Sequence, residues 1–253
     1  MIVTYVVASV LFFVGLLLGP ILNALITRLP HKDRIFENLY CPHCHHFFSF
    51  LERLPLLPYW IYKKACRNCH HPIHWRYPLV ELLSGLSLVS CFLTYGWDYA
   101  FFKLAIFLLL AIVCMFVDIE TYSLPIPALL FLGLFGCFFS VMQHQIETCL
   151  LGIVCGFAIL WVISWIGKQV YKRDVMGSGD KYLNAAIGGY WGINHLLIGN
   201  YVAFLLASIV GGILLLTKQK KRHDMLPFGP FLLGGSLAML YLENLFWKWI
   251  FPL

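Results

Sequence analysis

Two aspartates in this largely apolar chain stand where hydrophobic segments end, and their side chains could do chemistry together. Asp118 closes the run Ala111-Ile-Val-Cys-Met-Phe-Val-Asp118, and Asp180 ends Met176-Gly-Ser-Gly-Asp180 just before another apolar stretch. Ionisable residues at the ends of membrane spans are costly, so they are candidates for function. Two neighbouring carboxylates can share one proton, because like charges a few ångströms apart do not both ionise cheaply. The charged member could then activate water while the neutral member donates to a carbonyl, which is the chemistry of peptide-bond cleavage.

The residues around each aspartate allow a structural interpretation as well as a functional one. Asp180 could cap the start of a helix, and Asp118 could mark the point where a span leaves the lipid. Gly177 and Gly179 lack side chains beside Asp180, and we expect them to form a loop through which a substrate backbone approaches closely. The two prolines of Leu124-Pro-Ile-Pro127 predict an extended turn after Asp118. These neighbours favour the functional interpretation.

A second group of residues could bind a metal. The pairs Cys41-Pro-His-Cys44 and Cys66-Arg-Asn-Cys69 are separated by 21 residues, a spacing close to that of zinc ribbons. Four thiolates close a tetrahedral coordination sphere and leave no position for water, so the pattern predicts structural rather than catalytic zinc. Redox-active or free thiols and another metal are the alternatives. One histidine of the same segment could replace a cysteine as ligand; the candidates are His43, His45, His46, His70, His71 and His74.

The elements that must position these residues are membrane spans. Of the 253 residues, 60% are hydrophobic and only 12% are charged, about half the charged share of a soluble domain. A run of about 20 apolar residues can cross a bilayer. We predict eight spans, of which the sixth is short and rich in glycine, at 4–26, 77–95, 100–117, 126–143, 149–166, 182–193, 197–216 and 227–246.

The basic residues indicate how the spans are oriented. All of the 18 Lys and Arg residues except Lys103 and Lys248 fall in the segments 27–76, 167–181 and 217–225. Eight spans put these three loops on one side, and the positive-inside rule makes that side cytoplasmic, with both termini outside. Asp118 and Asp180 then lie at the same membrane face. This agreement is independent evidence for the pair, because the orientation was inferred from Lys and Arg alone.

The predicted fold is an all-α polytopic membrane protein with about eight transmembrane helices. A small cytoplasmic zinc-ribbon-like module with four cysteines lies between the first two helices. We divide the chain into a first span at 1–26, a zinc-binding module at 27–76 and a membrane aspartic peptidase domain at 77–253. We expect the first span to be retained rather than removed as a secretory signal, because no basic residue precedes its apolar run.

With these residues in place, the chain resembles the type IV prepilin leader peptidases, which are bifunctional membrane aspartic proteases. Asp118 with Leu124-Pro125 is similar to the family's first aspartate motif, and Gly177-Ser-Gly-Asp180 is similar to its GxGD motif. The two cysteine pairs resemble its cytoplasmic module. Further similar segments, in the family's order, are Gly19-Pro-Ile-Leu-Asn23, Arg28-Leu-Pro30, Arg76-Tyr-Pro-Leu-Val-Glu81 and Pro227-Phe-Gly-Pro-Phe-Leu232.

The resemblance implies a specific activity. The family cleaves the basic leader from prepilins and pseudopilins after a glycine, at the cytoplasmic face of the bacterial inner membrane, for type IV pili or type II secretion. It then methylates the new N-terminal amine with S-adenosylmethionine, an activity linked to the N-terminal region and its loop. Asp118 and Asp180 take the catalytic roles by motif. The implied partners are prepilins, pseudopilins and membrane lipid, with no nucleic acid.

Three positions depart from the family pattern. The usual Asp-Asn-Ile-Pro stretch is Leu51-Glu-Arg-Leu-Pro55 here, which affects what is expected of the methyltransferase. Lys181 follows Asp180 directly, whereas the family usually has one residue between its aspartate and lysine. Ile126 stands where an acid or asparagine is common. None of these changes removes a catalytic aspartate.

Two other functions are compatible with the sequence. A transporter could use the two aspartates for proton or cation coupling, although no inverted repeat is evident between the halves of the chain. A non-catalytic assembly factor could use the zinc module for docking. A zinc metalloprotease is disfavoured, because the chain has no HExxH motif and the cysteine site is closed.

Overall fold

A computed structural model describes residues 2–30, 43–44, 46, 55, 65–173, 176–221 and 224–250, the last ten of them by backbone alone. In this part of the chain, the only pairing of extended backbone is an isolated antiparallel bridge between Ala65 and Pro72. All other regular structure there is helical. The helices are α1 (Ile2–Arg28), α2 (Arg76–Tyr95), α3 (Tyr99–Thr121), α4 (Ile126–Met142), α5 (Ile146–Tyr171), α6 (Ser178–Trp191), α7 (Ile193–Leu216) and α8 (Gly229–Ile250).

The prediction of an all-α membrane protein is confirmed, with one helix at each predicted span. By length and composition, α1, α2, α3, α5 and α7 could each cross a membrane. Helix α4 is apolar but has only 17 residues, and the described apolar part of α8 is also short. Helix α6 is the shortest, with 14 residues. It begins at Ser178 rather than at 182, because its first turn is polar and does not register as part of an apolar run.

The chain forms two compact units, residues 1–113 and 114–253, and α3 contributes to both. In the first unit, α1 and α2 pack closely where small residues face each other. A Cβ added to Gly15 would lie 2.6 Å from the Cα of Gly85, so the two backbones approach only because side chains are missing there. Ser84, which is fully buried, donates a hydrogen bond of 2.7 Å to the carbonyl oxygen of Gly15.

In the second unit, glycines allow α6 to pack against its neighbours. Gly152 on α5 and Gly188 on α6 meet so closely that a Cβ on either would overlap the carbonyl oxygen of the other. One turn away, Asn184 donates a hydrogen bond of 2.8 Å to the carbonyl oxygen of Gly156. On the other side of α6, Gly136 of α4 faces the backbone of Tyr190. Helix α6 is therefore held between α4 and α5.

Two residues with positive φ lie where helices end, one after α3 and one between α6 and α7. Tyr122 has φ of 52°, and the chain leaves α3 there, four residues after Asp118. Gly192 has φ of 82° and alone separates α6 from α7. A side chain is strained at such angles, so glycine suits this one-residue connection.

Candidate active site

Asp118 lies in the last turn of α3 and is only 4% exposed. The backbone N–H of Gly229, the first residue of α8, donates a hydrogen bond of 2.8 Å to its Oδ2 atom. The carboxylate therefore accepts from a helix N-terminus, where the partial positive charge of the helix dipole favours an anion. A Cβ on Gly229 would lie 2.8 Å from the same oxygen, so this contact requires the absence of a side chain.

Asp180 lies in the first turn of α6, before the apolar part of that helix, and is half-buried. The negative charge of Asp118 and the positive charge of Lys181 both act on the Asp180 carboxyl, which also accepts a hydrogen bond from the backbone of Gly177. The two carboxyls are thus close enough to interact, although 61 residues separate them in the chain. Two carboxyls so placed can share one proton, as the proposed chemistry needs.

The segments that follow Asp118 and precede Asp180 are in direct contact. A Cβ added to Gly179 would lie 2.9 Å from the Cβ of Leu124, so Gly179 lets the two segments pack together. Gly177 is exposed, and a Cβ there would lie 3.2 Å from the Oδ2 of Asp180. A role for these glycines in substrate approach stays a prediction, and Gly177 is the better placed of the two for it.

Three of the four predicted metal ligands form a cluster. The sulfur atoms of Cys44, Cys66 and Cys69 all lie within 4.8 Å of one another, and the Cys44 and Cys66 sulfurs are 3.9 Å apart. Two thiolates on one tetrahedral zinc ion stand about 3.8 Å apart, given Zn–S bonds of about 2.3 Å. The donor set and its spacing therefore fit a metal bound by thiolates. Cys41, the fourth predicted ligand, lies outside the described residues.

The turn that carries Cys66 and Cys69 is held by its own backbone. The N–H of Cys66 donates to the carbonyl oxygen of His71 at 2.9 Å, and the N–H of His70 donates to that of Cys66 at 3.0 Å. His70 adopts φ of 56°, which lets the chain reverse between these bonds. Asn68 also donates to the Cys44 sulfur, at 3.7 Å. This geometry directs two cysteine side chains of one turn toward the same point.

Two segments of the chain match models of known protein families. Residues 13–95 match the bacterial peptidase A24 N-terminal domain, and residues 105–216 match the type IV leader peptidase family. A prepilin leader peptidase/N-methyltransferase of Aeromonas hydrophila is 30% identical over 267 residues, which cover 94% of this chain and 91% of that relative. The chain belongs to the type IV leader peptidase family.

Other relatives of this leader peptidase family member differ in how much of their length is matched. A prepilin leader peptidase/N-methyltransferase of Myxococcus xanthus is 32% identical over 83% of this chain but only 63% of the relative. A type 4 prepilin-like proteins leader peptide-processing enzyme of Escherichia coli O78:H11 is 30% identical over 92% of this chain and 93% of the relative. No solved structure matches the chain significantly.

For this leader peptidase family member, sequence reasoning missed the contact between Gly229 and Asp118. The segment Pro227-Phe-Gly-Pro-Phe-Leu232 is similar to the family's C-terminal signature, but the similarity alone assigns it no role. Proline is common in the first turn of a helix, so the pair Gly229-Pro230 predicts that a helix begins there. The N–H groups in the first turn of a helix have no acceptor within that helix. Nothing in the local pattern indicates that the Gly229 N–H donates to a carboxylate 111 positions away.

Proposed function

We propose that this protein cleaves the leader peptide of prepilins or pseudopilins with Asp118 and Asp180 as an aspartate pair. The observation that supports the proposal is that the Asp118 and Asp180 carboxyls, at the ends of α3 and α6, are close enough for the charge of one to act on the other. The names of the relatives, which are leader peptidases, support the substrate class.

The pair can act as acid and base in one step. The ionised carboxylate takes a proton from a water molecule, which attacks the scissile carbonyl, and the neutral carboxyl donates a proton to the carbonyl oxygen. The N–H of Gly229 stabilises negative charge on Asp118, and the charge of Lys181 favours ionisation of Asp180. The roles of acid and base belong to the coupled pair rather than to either residue.

We also propose N-methylation of the new N-terminus, with S-adenosylmethionine as methyl donor. The relatives' names, which combine leader peptidase with N-methyltransferase, support this second activity. The further proposal of a multi-pass protein of the bacterial inner membrane, with both termini outside and the aspartates at the cytoplasmic face, is supported by the apolar helices and the basic loops.

A cleavage assay in detergent tests the peptidase proposal. We expect Asp118→Asn and Asp180→Asn each to reduce cleavage of a purified prepilin by at least about a hundredfold, since general acid–base catalysis contributes about 10²–10⁴. The matched control is Asp98→Asn, which removes an exposed acid from the loop between α2 and α3 and should cleave normally. Full cleavage by either active-site variant would contradict the proposal. If the wild type carries protons or cations into vesicles but does not cleave prepilin, and the two aspartate variants lose that flux, the transporter is favoured instead.

We further propose that Cys41, Cys44, Cys66 and Cys69 hold one structural zinc ion. Elemental analysis of purified wild-type protein should give about one zinc per chain, as a closed four-thiolate site requires. Cys66→Ser should lose most of that zinc, because a hydroxyl is a poor substitute for a thiolate ligand. Cys155→Ser, which changes a cysteine on α5 far from the cluster in sequence, is the matched control and should retain it. Wild-type protein without stoichiometric zinc would refute the assignment.

A further inference from the structure

A layer of polar side chains lies between α1 and α2 and is not used by the aspartate pair. Asn23 and Arg28 of α1 are 2% and 9% exposed, and Arg76 and Glu81 of α2 are 6% and 9% exposed. Ionisable side chains are rare in an otherwise apolar pair of helices, so the layer is a candidate for function.

The contacts of the layer join the two helices at three successive levels. The Asn23 amide nitrogen donates to the carbonyl oxygen of Tyr77 at 3.0 Å, and the Arg76 guanidinium donates to the hydroxyl of Thr27 at 2.8 Å. Glu81 lies against Gly19, where a Cβ would stand 2.5 Å from the Glu81 Cγ. Gly19, Asn23 and Thr27 are spaced by four residues and so share one face of α1.

The side-chain amide of Asn23 is only half satisfied. The amide oxygen of Asn23 is fully buried and makes no hydrogen bond, although the nitrogen of the same amide is bound between the helices. Buried acceptors in folded proteins are nearly always satisfied, so an unsatisfied one calls for a missing donor. The layer thus combines an unfilled acceptor with one carboxylate and two guanidinium groups. Groups of both signs suit a ligand that carries both charges.

We propose that this layer binds the amino-acid end of the methyl donor S-adenosylmethionine. The Asn23 amide oxygen and the Glu81 carboxylate would accept hydrogen bonds from its α-ammonium group, and Arg76 and Arg28 would attract its α-carboxylate. The inference rests on the proposed methyltransferase activity and gives it a location. When bound, S-adenosylmethionine supplies an electrophilic methyl group: the S–CH₃ bond breaks, a bond to the amine nitrogen forms, and the amine loses a proton.

The test compares two ligands that differ only where the layer would act. S-adenosylhomocysteine carries the amino-acid end, and 5′-methylthioadenosine has the same nucleoside and sulfur without it. Equilibrium dialysis of the full chain in detergent should show tighter binding of S-adenosylhomocysteine by the wild type. Asn23→Leu should weaken that binding by about tenfold, as expected for the loss of a hydrogen bond to a charged group. Its affinity for 5′-methylthioadenosine should not change.

Two further variants keep the test decisive. Glu81→Gln preserves shape and should produce the same selective loss, which matters if Asn23→Leu does not fold. Ser84→Ala removes buried hydrogen bonds to the backbone carbonyl oxygens of Gly15 and Glu81 but leaves the side chains of the polar layer intact, and it should bind both ligands like the wild type. A purely structural layer would change the affinities for both ligands together, or neither.

Each other outcome overturns a distinct claim. If the wild type binds both ligands equally, no site for the amino-acid end exists, while binding of the methyl donor stands. If the wild type discriminates but neither Asn23→Leu nor Glu81→Gln alters the ratio, the site lies elsewhere. If the wild type binds neither ligand, both this inference and the methyltransferase proposal fail, and the peptidase proposal is untouched.

Discussion

The Asp118 carboxylate can accept its hydrogen bond from Gly229 because Gly229 has no Cβ. The Gly229 N–H donates to the Asp118 Oδ2 at 2.8 Å, and a Cβ on the same glycine would lie equally close to that oxygen. The backbone of α8 thereby takes part in holding a side chain of α3. Positioning of this kind matters, because misplacement of a catalytic group by about 1 Å can cost about 10²-fold in rate.

We therefore expect Gly229→Ala to reduce kcat for prepilin cleavage by about tenfold to a hundredfold, because the added methyl displaces the carboxylate it now touches. Gly234→Ala, on the same helix with no atom within 4 Å of the added Cβ, is the matched control and should cleave like the wild type. The measurement is the steady-state cleavage rate at saturating prepilin. Equal rates for the two variants would show that the contact does not position Asp118.

The sequence identifies the two aspartates as candidates, but it does not predict which residues contact them. Asp118 and Asp180 stand out because acids are rare in apolar segments. The close packing of Gly179 on Leu124 and the bond from Gly229 to Asp118 depend on which helices are neighbours in space. Local patterns carry no such information for residues so far apart in the chain.

Among the helices, α6 depends most visibly on glycine. Gly152 and Gly188 bring α5 and α6 into backbone contact, and Gly136 does the same between α4 and α6. Small residues at such crossings are the usual means by which membrane helices approach closely, since lipid supplies no hydrophobic drive between them. Because α6 carries Asp180 in its first turn, this packing also fixes the position of a catalytic candidate.

We expect Gly152→Ala to lower stability by about 1–3 kcal/mol, the range for adding a methyl group to a filled contact. The added Cβ would overlap the carbonyl oxygen of Gly188, and α5 must then move away from α6. Gly211→Ala on α7 adds the same methyl group with no atom within 4 Å. Thermal unfolding in detergent should show a lower midpoint for the first variant only. Similar midpoints for both variants would contradict the importance of this crossing.

The helices themselves were predictable, because about 20 apolar residues form a strong and simple pattern. The residues at which the helices begin and end were less predictable. Hydropathy begins the sixth span at 182, whereas the helix starts at Ser178, since Ser178 and Asp180 are polar but still suited to a first turn. The tight packing of α5 on α6 could not be inferred, because glycines are also placed where nothing touches them, as at Gly211 and Gly212.

For the molecule as a whole, the predicted orientation in the membrane rests on the distribution of Lys and Arg among the loops. The loop after α7 contains Lys218, Lys220 and Lys221, whereas the turn between α4 and α5 at 143–145 contains no Lys or Arg. The positive-inside rule then assigns these two connections to opposite sides of the membrane.

Reporter fusions in a Gram-negative host test this assignment. Alkaline phosphatase, which is active only outside the cytoplasm, should be active when fused after Gln145 and inactive when fused after Gln219, because only the second connection is basic. A fluorescent protein that folds only in the cytoplasm should give the opposite pattern. Activity of both phosphatase fusions, or of neither, would show that the number of spans or their direction is wrong.

The length of α6 has a consequence for the surrounding lipid. A helix of 14 residues is about 21 Å long, since each residue adds about 1.5 Å. The hydrocarbon core of a bilayer is about 30 Å thick, so α6, if it spans the bilayer as the sequence predicts, either ends short of one surface or thins the membrane beside it. A thinned annulus would lower the barrier to water next to Asp180. It would also let the junction between a basic leader and its apolar helix reach the carboxyls without lifting that helix out of the lipid.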